Sequence, residues 1–320
     1  MSVAGATAGI ALSLAVLASP LAHAAADPSA TLDALWTYDE PAASETRFRA
    51  EIARHPAGSP AALEATTQLA RAQGLQRRFV EADATLDGVA AALDRSPTRL
   101  RVRYLLERGR VRNSSGAPAA AVPLFHDALA ASERDTAPGA AFYRIDALHM
   151  LGIAAPEAER LDWDRKALDA AESAGDERAR GWRGSLLHNL GWAEHELGHD
   201  EAALAYWQRA LVVREAAGDV PRTRIAKWTV ARGLRSLKRY DEAEAIQLAL
   251  AAETERAKAE DGYIYEELAE LAIARGDATT ARRWARKAHA LLANDANFVT
   301  DEPARLARLA ELAGIAGATR

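Results

Sequence analysis

The feature that most constrains this chain is an internal repetition. Residues 166–176 (KALDAAESAGD) align without gaps on residues 209–219 (RALVVREAAGD). A pattern of small and large residues recurs around them. Leu190-Gly191 is followed by Gly198, then Ala203, Trp207, Ala210 and Leu211. Leu69-Ala70 precedes Phe79, Ala82, Leu86 and Val89, and Arg108-Gly109 precedes Gly116, Ala121, Phe125 and Ala128-Leu129. Leu151-Gly152 pairs with Ala167-Leu168, in a shorter copy where Arg160 takes the alanine's place. Val230-Ala231 leads to Tyr240, Ala243 and Leu250, and Leu268-Ala269 to Gly276, Ala281 and Ala288. The alanines at 82, 121, 203, 243 and 281 lie 39, 82, 40 and 38 residues apart, the 82 spanning the copy with Arg160. A unit of this size is one helix pair. It cannot bury its apolar face alone, so it must stack on its neighbours.

A small pair on one helix, a glycine turn, and alanines with an aromatic on a second helix resemble the tetratricopeptide repeat. A period near 40 exceeds the usual ~34 and is similar to the longer repeats of kinesin light chains. The resemblance implies an all-α fold, a right-handed α-solenoid of tandem helix-turn-helix repeats. Six repeats are expected over residues 60–300. An N-terminal cap (27–59) carries one helix, Ala43 to His55, and a C-terminal cap (301–320) carries a helix from Pro303 to Ala313. Length alone suggests about two domains, but repeats add length without adding a second core. Roughly a quarter of the residues are alanine, well above ordinary usage and suited to helices whose backbones approach closely. Gly175-Asp176 and Gly218-Asp219 mark helix ends, each aspartate able to cap the next helix. Pro123 fits the first turn of a helix only if that helix starts near Ala120; otherwise it kinks the helix.

Residues 1–26 read as a secretory signal peptide. An uncharged run from Val3 to Leu21 ends in Ala22-His23-Ala24, with cleavage expected after Ala24 or Ala26. No Lys or Arg precedes the run, which departs from the usual pattern, and retention as an anchor is the alternative. Cleavage would leave a periplasmic or secreted protein with no stable membrane span. Cysteine is absent, which excludes disulfide scaffolds, thiol nucleophiles and Cys-liganded zinc. A net charge of -5 argues against a nucleic-acid partner. The cluster Arg99, Arg101, Arg103, Arg108, Arg110 and Arg112 is expected to form an ion-paired or solvated helix face.

His195-Glu196-Leu197-Gly198-His199 matches H-E-x-x-H. On a helix this places two imidazoles one turn apart for Zn²⁺, with the carboxylate polarising water. Here Gly198 falls at the turn of the best repeat, which takes His199 off the face of His195. No G-x-x-H continuation follows, and the equivalent stretch of the next repeat, residues 236–240, carries no such groups. No glycine-rich phosphate loop and no G-x-S-x-G elbow occurs, and no cofactor is expected.

The resemblance places first helices on the concave face. The repeat register then selects Arg103, Arg110, His149, His188, Asn189, Trp192, Trp228, Arg232, Arg235, Tyr263 and Glu266 as residues facing a partner. Trp, Tyr and Arg are enriched at binding hot spots, Asn can pair with an extended peptide backbone, and the cations favour carboxylates. Trp182, Trp207 and Trp284 are assigned to packing. The expected function is a non-enzymatic scaffold that binds a partner protein or extended peptide in the concave groove. The alternatives are a zinc metallopeptidase built on residues 195–199 and an adaptor in envelope assembly or secretion.

Overall fold

A computed structural model of the chain describes residues 29–315. The expected leader lies outside them. Every regular element among the described residues is helical. Helices α1 (Ser29–Asp33) and α2 (Pro41–Ala53) come first. They are followed by α3 (Pro60–Leu75) with α4 (Phe79–Ala90), α5 (Thr98–Ser114) with α6 (Pro118–Glu133), and α7 (Ala140–Ala154) with α8 (Glu157–Glu172). A short α9 (Glu177–Arg180) precedes α10 (Arg183–Glu196) with α11 (Asp200–Ala216), α12 (Val220–Ser236) with α13 (Tyr240–Arg256), and α14 (Gly262–Ala274) with α15 (Ala278–Leu292). Helices α16 (Ala296–Asp301) and α17 (Pro303–Ala313) close the chain.

Most helices pack chiefly on their sequence neighbours, and α3–α5, α5–α7, α8–α10, α12–α14 and α15–α17 also touch directly. This nearest-neighbour pattern is that of an α-solenoid. The small-residue code has a steric reason. A Cβ on Gly191 would collide with the indole of Trp207. Trp207 is fully buried, and its Nε1 donates to the His188 carbonyl at 3.2 Å. A large ring in the second helix thus fills the notch that a glycine opens in the first. In the shortened third copy the notch at Gly152 faces the Asp164 carboxyl instead. Asp164 is buried without a charged partner, and its Oδ1 has no hydrogen-bond partner among the described residues. Burial pushes this carboxyl up to about 6.

Several local expectations meet refinements. Asp219 caps α12 through Arg222 N at 3.1 Å, whereas Asp176 caps the four-residue α9 rather than the long helix after it. Helix α6 begins at Pro118, so Pro123 lies inside it, beyond the first turn. It is exposed there, so the bond it cannot make leaves a carbonyl near water. The N-terminal cap holds two helices rather than one. Leu32 of α1 joins Phe48, Ala65 and Leu69 in a core cluster. Asp33 then reaches Arg178 of α9 at 2.7 Å, 145 residues along the chain. The N-terminal helix pairs are therefore bridged end to end. At the other terminus, α17 buries Leu309, Ala310 and Ala313 against α15.

Candidate functional site

Sequence-expected residues separate into two cavities. The larger is a groove of about 810 Å³ formed by α10, α12, α14 and α17. Arg224, Ile225, Trp228, Arg232 and Arg235 line it from one face of α12, as helical spacing dictates. Trp192 comes from α10 and Tyr263 and Glu266 from α14. Trp192 and Trp228 are both half-buried, with ring centroids 6.5 Å apart. Each indole is held in place. Trp228 Nε1 donates to the Tyr263 carbonyl at 3.0 Å, joining α12 to α14. Trp192 Nε1 donates to His188 Nε2 at 3.1 Å. His188 therefore carries its proton on Nδ1 in this pose, and burial holds its pKa below the ordinary value.

Most charges of the groove are paired with one another. Arg235 meets Glu267 at 2.5 Å, and Arg305 grips Glu266 through two bonds of 2.6 Å. Arg308 pairs with Glu270, and Arg224 with Glu253 at 2.7 Å. Arg232 differs. Its hydrogen bond to Ser236 Oγ at 3.1 Å involves no acid, and it forms no ion pair among the described residues. Burial, then the adjacent Arg235, depress its pKa. A partly desolvated guanidinium without a counter-ion is costly, and it is set up to gain from an incoming carboxylate.

The smaller cavity, about 490 Å³, spans α3, α5, α7 and the start of α10 and takes in Arg110, His149 and Asn189. Here the charges form a closed ladder. Arg110 holds Glu107 at 2.8 Å and also pairs with Asp146, while Arg71 lies 3.7 Å from Glu107. Burial opposes ionisation of Asp146, but Arg110 and Arg71 outweigh it and hold the carboxyl below its ordinary range. Burial lowers His149 to about 4, so its ring is neutral near pH 7.

Two expected site residues, Arg103 and His188, line neither cavity, and a third, Glu266, lines the groove with its charge already engaged. Arg103 is only 3% exposed. It lies over the Tyr143 ring and near Glu64, in a stretch where Arg178, bridged to Asp33, also stacks on Phe142 and Tyr143. His188 lines neither cavity and supports Trp192 from beneath. Glu266 is buried and engaged by Arg305. Of the tryptophans assigned to packing, Trp207 is fully buried and Trp284 stacks on Tyr265. Trp182 instead lines the smaller cavity. The arginine cluster is largely ion-paired, with Arg99 on Glu64, Arg108 on Asp83 and Asp87, and Arg112 on Asp83.

Residues 195–199 do not share one helix. Helix α10 ends at Glu196, Gly198 takes a left-handed φ of 78°, and His199 stands just before α11 without a side-chain bond to its first turn. His195 Nδ1 bonds Asp200 at 2.6 Å and His199 Nδ1 bonds Glu194 at 2.9 Å. The one-turn spacing that the motif needs is interrupted by the turn. Among the described residues, no three His, Asp or Glu side chains gather as a metal site, and no helix is long and apolar enough to cross a membrane.

The register missed Arg305 and Arg308, which reach the groove from the terminal helix, as well as Arg71, Glu107 and Trp182. The spacing of Arg305 and Arg308 on one face of α17 was a readable signal, but not one that named the groove as their destination.

No family model and no curated protein matches the chain. Solved structures do. The apo form of RapI superposes with a TM-score of 0.64 at 12% identity, over 91% of this chain and 83% of that one. A signal-transduction ATPase with a tetratricopeptide repeat sensor from Pyrococcus horikoshii gives 0.65 at 17% identity, over 89% of this chain but 44% of that one. A Rap protein complexed with competence and sporulation factor gives 0.54 at 14% identity, over 88% and 79%.

Proposed function

Starting from the fact that this chain folds as a tetratricopeptide-type helical solenoid, we propose that it is a non-enzymatic scaffold. It binds a partner protein or extended peptide in the groove between α10, α12, α14 and α17, with an acidic group of the partner on Arg232. The observation that carries this reading is the charge pattern. Four arginines of the groove have acids of their own, while Arg232, which lines it with Trp192, Trp228 and Arg235, forms no ion pair among the described residues. Half-buried tryptophans beside a cation are what a hot spot requires. A Rap protein of the same fold was solved with a bound factor, which is consistent with a solenoid of this kind taking a ligand. In this reading residues 1–26 direct export, and the scaffold serves assembly or secretion at the cell envelope.

The test is a capture from an envelope fraction with immobilised protein, read by mass spectrometry beside the Trp192→Ala/Arg232→Ala double variant. Partners specific to the wild type should be lost while the melting curve is unchanged. Equal capture by both proteins would remove the groove from consideration.

A further inference from the structure

Unmet polar atoms concentrate in the smaller cavity. Arg71 Nε, Glu107 Oε2, His149 Nδ1 and Trp182 Nε1 are all buried without a hydrogen-bond partner among the described residues, and all four residues line this one space. No residue lining the larger groove contributes such an atom. A buried donor or acceptor left unpaired costs free energy, and protein interiors seldom tolerate several together.

The four atoms form a definite inventory. Trp182 Nε1 and Arg71 Nε can only donate, and the Glu107 carboxylate can only accept. His149 is neutral near pH 7, so its Nδ1 can accept when the proton resides on Nε2. The ladder beneath is balanced, two arginines (Arg71, Arg110) against two acids (Glu107, Asp146), so the space favours no net charge. Val111 and Met150 supply apolar wall, and Asn113 and Asn189 line it with amides.

We infer that this cavity is a binding site for a neutral carboxamide group, whose entry turns the lining side chains so that its carbonyl oxygen meets Trp182 and Arg71 and its amino group meets Glu107 and His149. A carboxamide offers two acceptor lone pairs and two N–H donors, the complement of that inventory. A carboxylate lacks the donors and would face Glu107; an ammonium lacks the acceptors. The group could arrive on a free small amide or as an Asn or Gln side chain of a polypeptide, and the chemistry is the same. This site is separate from the groove proposed above and does not depend on it.

The experiment follows the indole ¹H–¹⁵N signals of the full chain, with the Trp182 signal assigned by Trp182→Phe. The probes are isobutyramide, isobutyrate, and the capped peptides Ala-Ala-Gln-Ala-Ala and Ala-Ala-Glu-Ala-Ala. Isobutyramide or the Gln peptide should shift the Trp182 signal saturably and leave that of Trp228 unmoved. The matching carboxylate should bind at least tenfold more weakly, and Trp182→Phe should weaken amide binding about tenfold with an unaltered melting curve. Response to the free amide identifies a small-molecule site; response to the Gln peptide alone identifies a side-chain site. Silence toward both amides, equal binding of the carboxylates, or unchanged affinity in Trp182→Phe would each overturn the proposal and leave the four atoms to ordered water.

Discussion

The two halves of the inner surface use the same residue types to opposite ends. Around α3, α5 and α7, arginines and acids neutralise one another in a buried ladder, and Asp33 on Arg178 ties the first helix across to α9. Around α10, α12 and α14 the tryptophans are half-exposed and Arg232 keeps its charge without an acid. An arginine on a solenoid's inner face is therefore structural or available according to whether a neighbouring first helix supplies a carboxylate at the same height. Asp146 does so for Arg110; Glu267 and Glu270 of α14 act on Arg232 only from beyond ion-pair distance, being engaged by Arg235 and Arg308.

The largest effect that can break this contrast is removal of one acid from the ladder. Asp146→Ala leaves Arg110 with Glu107 as its one remaining acid beside a void, and the expected loss is about 2–3 kcal/mol, read as a lowered urea midpoint. A loss below about 1 kcal/mol would make the ladder no more structural than the groove.

A second test concerns the unpaired acid in the notch at Gly152. The carboxyl of Asp164 is raised by burial to about 6 in the folded chain, from about 3.9 when unfolded. Its protonated form is thus favoured by folding, so stability is fully present below about pH 4 and is lost as pH rises through 6. Asp164→Asn should therefore raise stability at pH 8 by about 2 kcal/mol and flatten the pH dependence between those limits. An unchanged pH profile of the melting temperature would show that the carboxyl is solvated.

Smaller effects follow. Asp33→Asn removes the bridge to Arg178 at a cost of about 1 kcal/mol, and limited proteolysis should cut faster within residues 29–40. The charge-reversed pair Asp33→Arg/Arg178→Asp should restore part of the protection. Arg232→Ala should change stability least, by no more than about 0.5 kcal/mol, because no acid loses its partner. If Arg232→Ala proves as damaging as Asp146→Ala, the two halves do not differ in the way described.

Much of this architecture was legible because packing codes are local. Gly191 with Trp207 can be read from two positions in one repeat, since a glycine notch and the ring that fills it belong to adjacent helices. The interrupted H-E-x-x-H was legible for the same reason, because Gly198 lies within it. The cavities were legible only in part. The helical register brought Trp192, Trp228, Arg232 and Arg235 to one face, but it also selected Arg103, which proved buried.

The sequence by itself determined the helices, their small-to-large contacts and the face that each first helix presents, because these depend on residues within about one repeat of each other. The tertiary structure decided which of those faces stays open. That depends on the curvature accumulated over several repeats, which brings Asp33 to Arg178 and lets α17 place Arg305 and Arg308 in the groove. It also decided which charges cancel, because ion pairing depends on distances between side chains on different helices, such as Arg110 with Asp146.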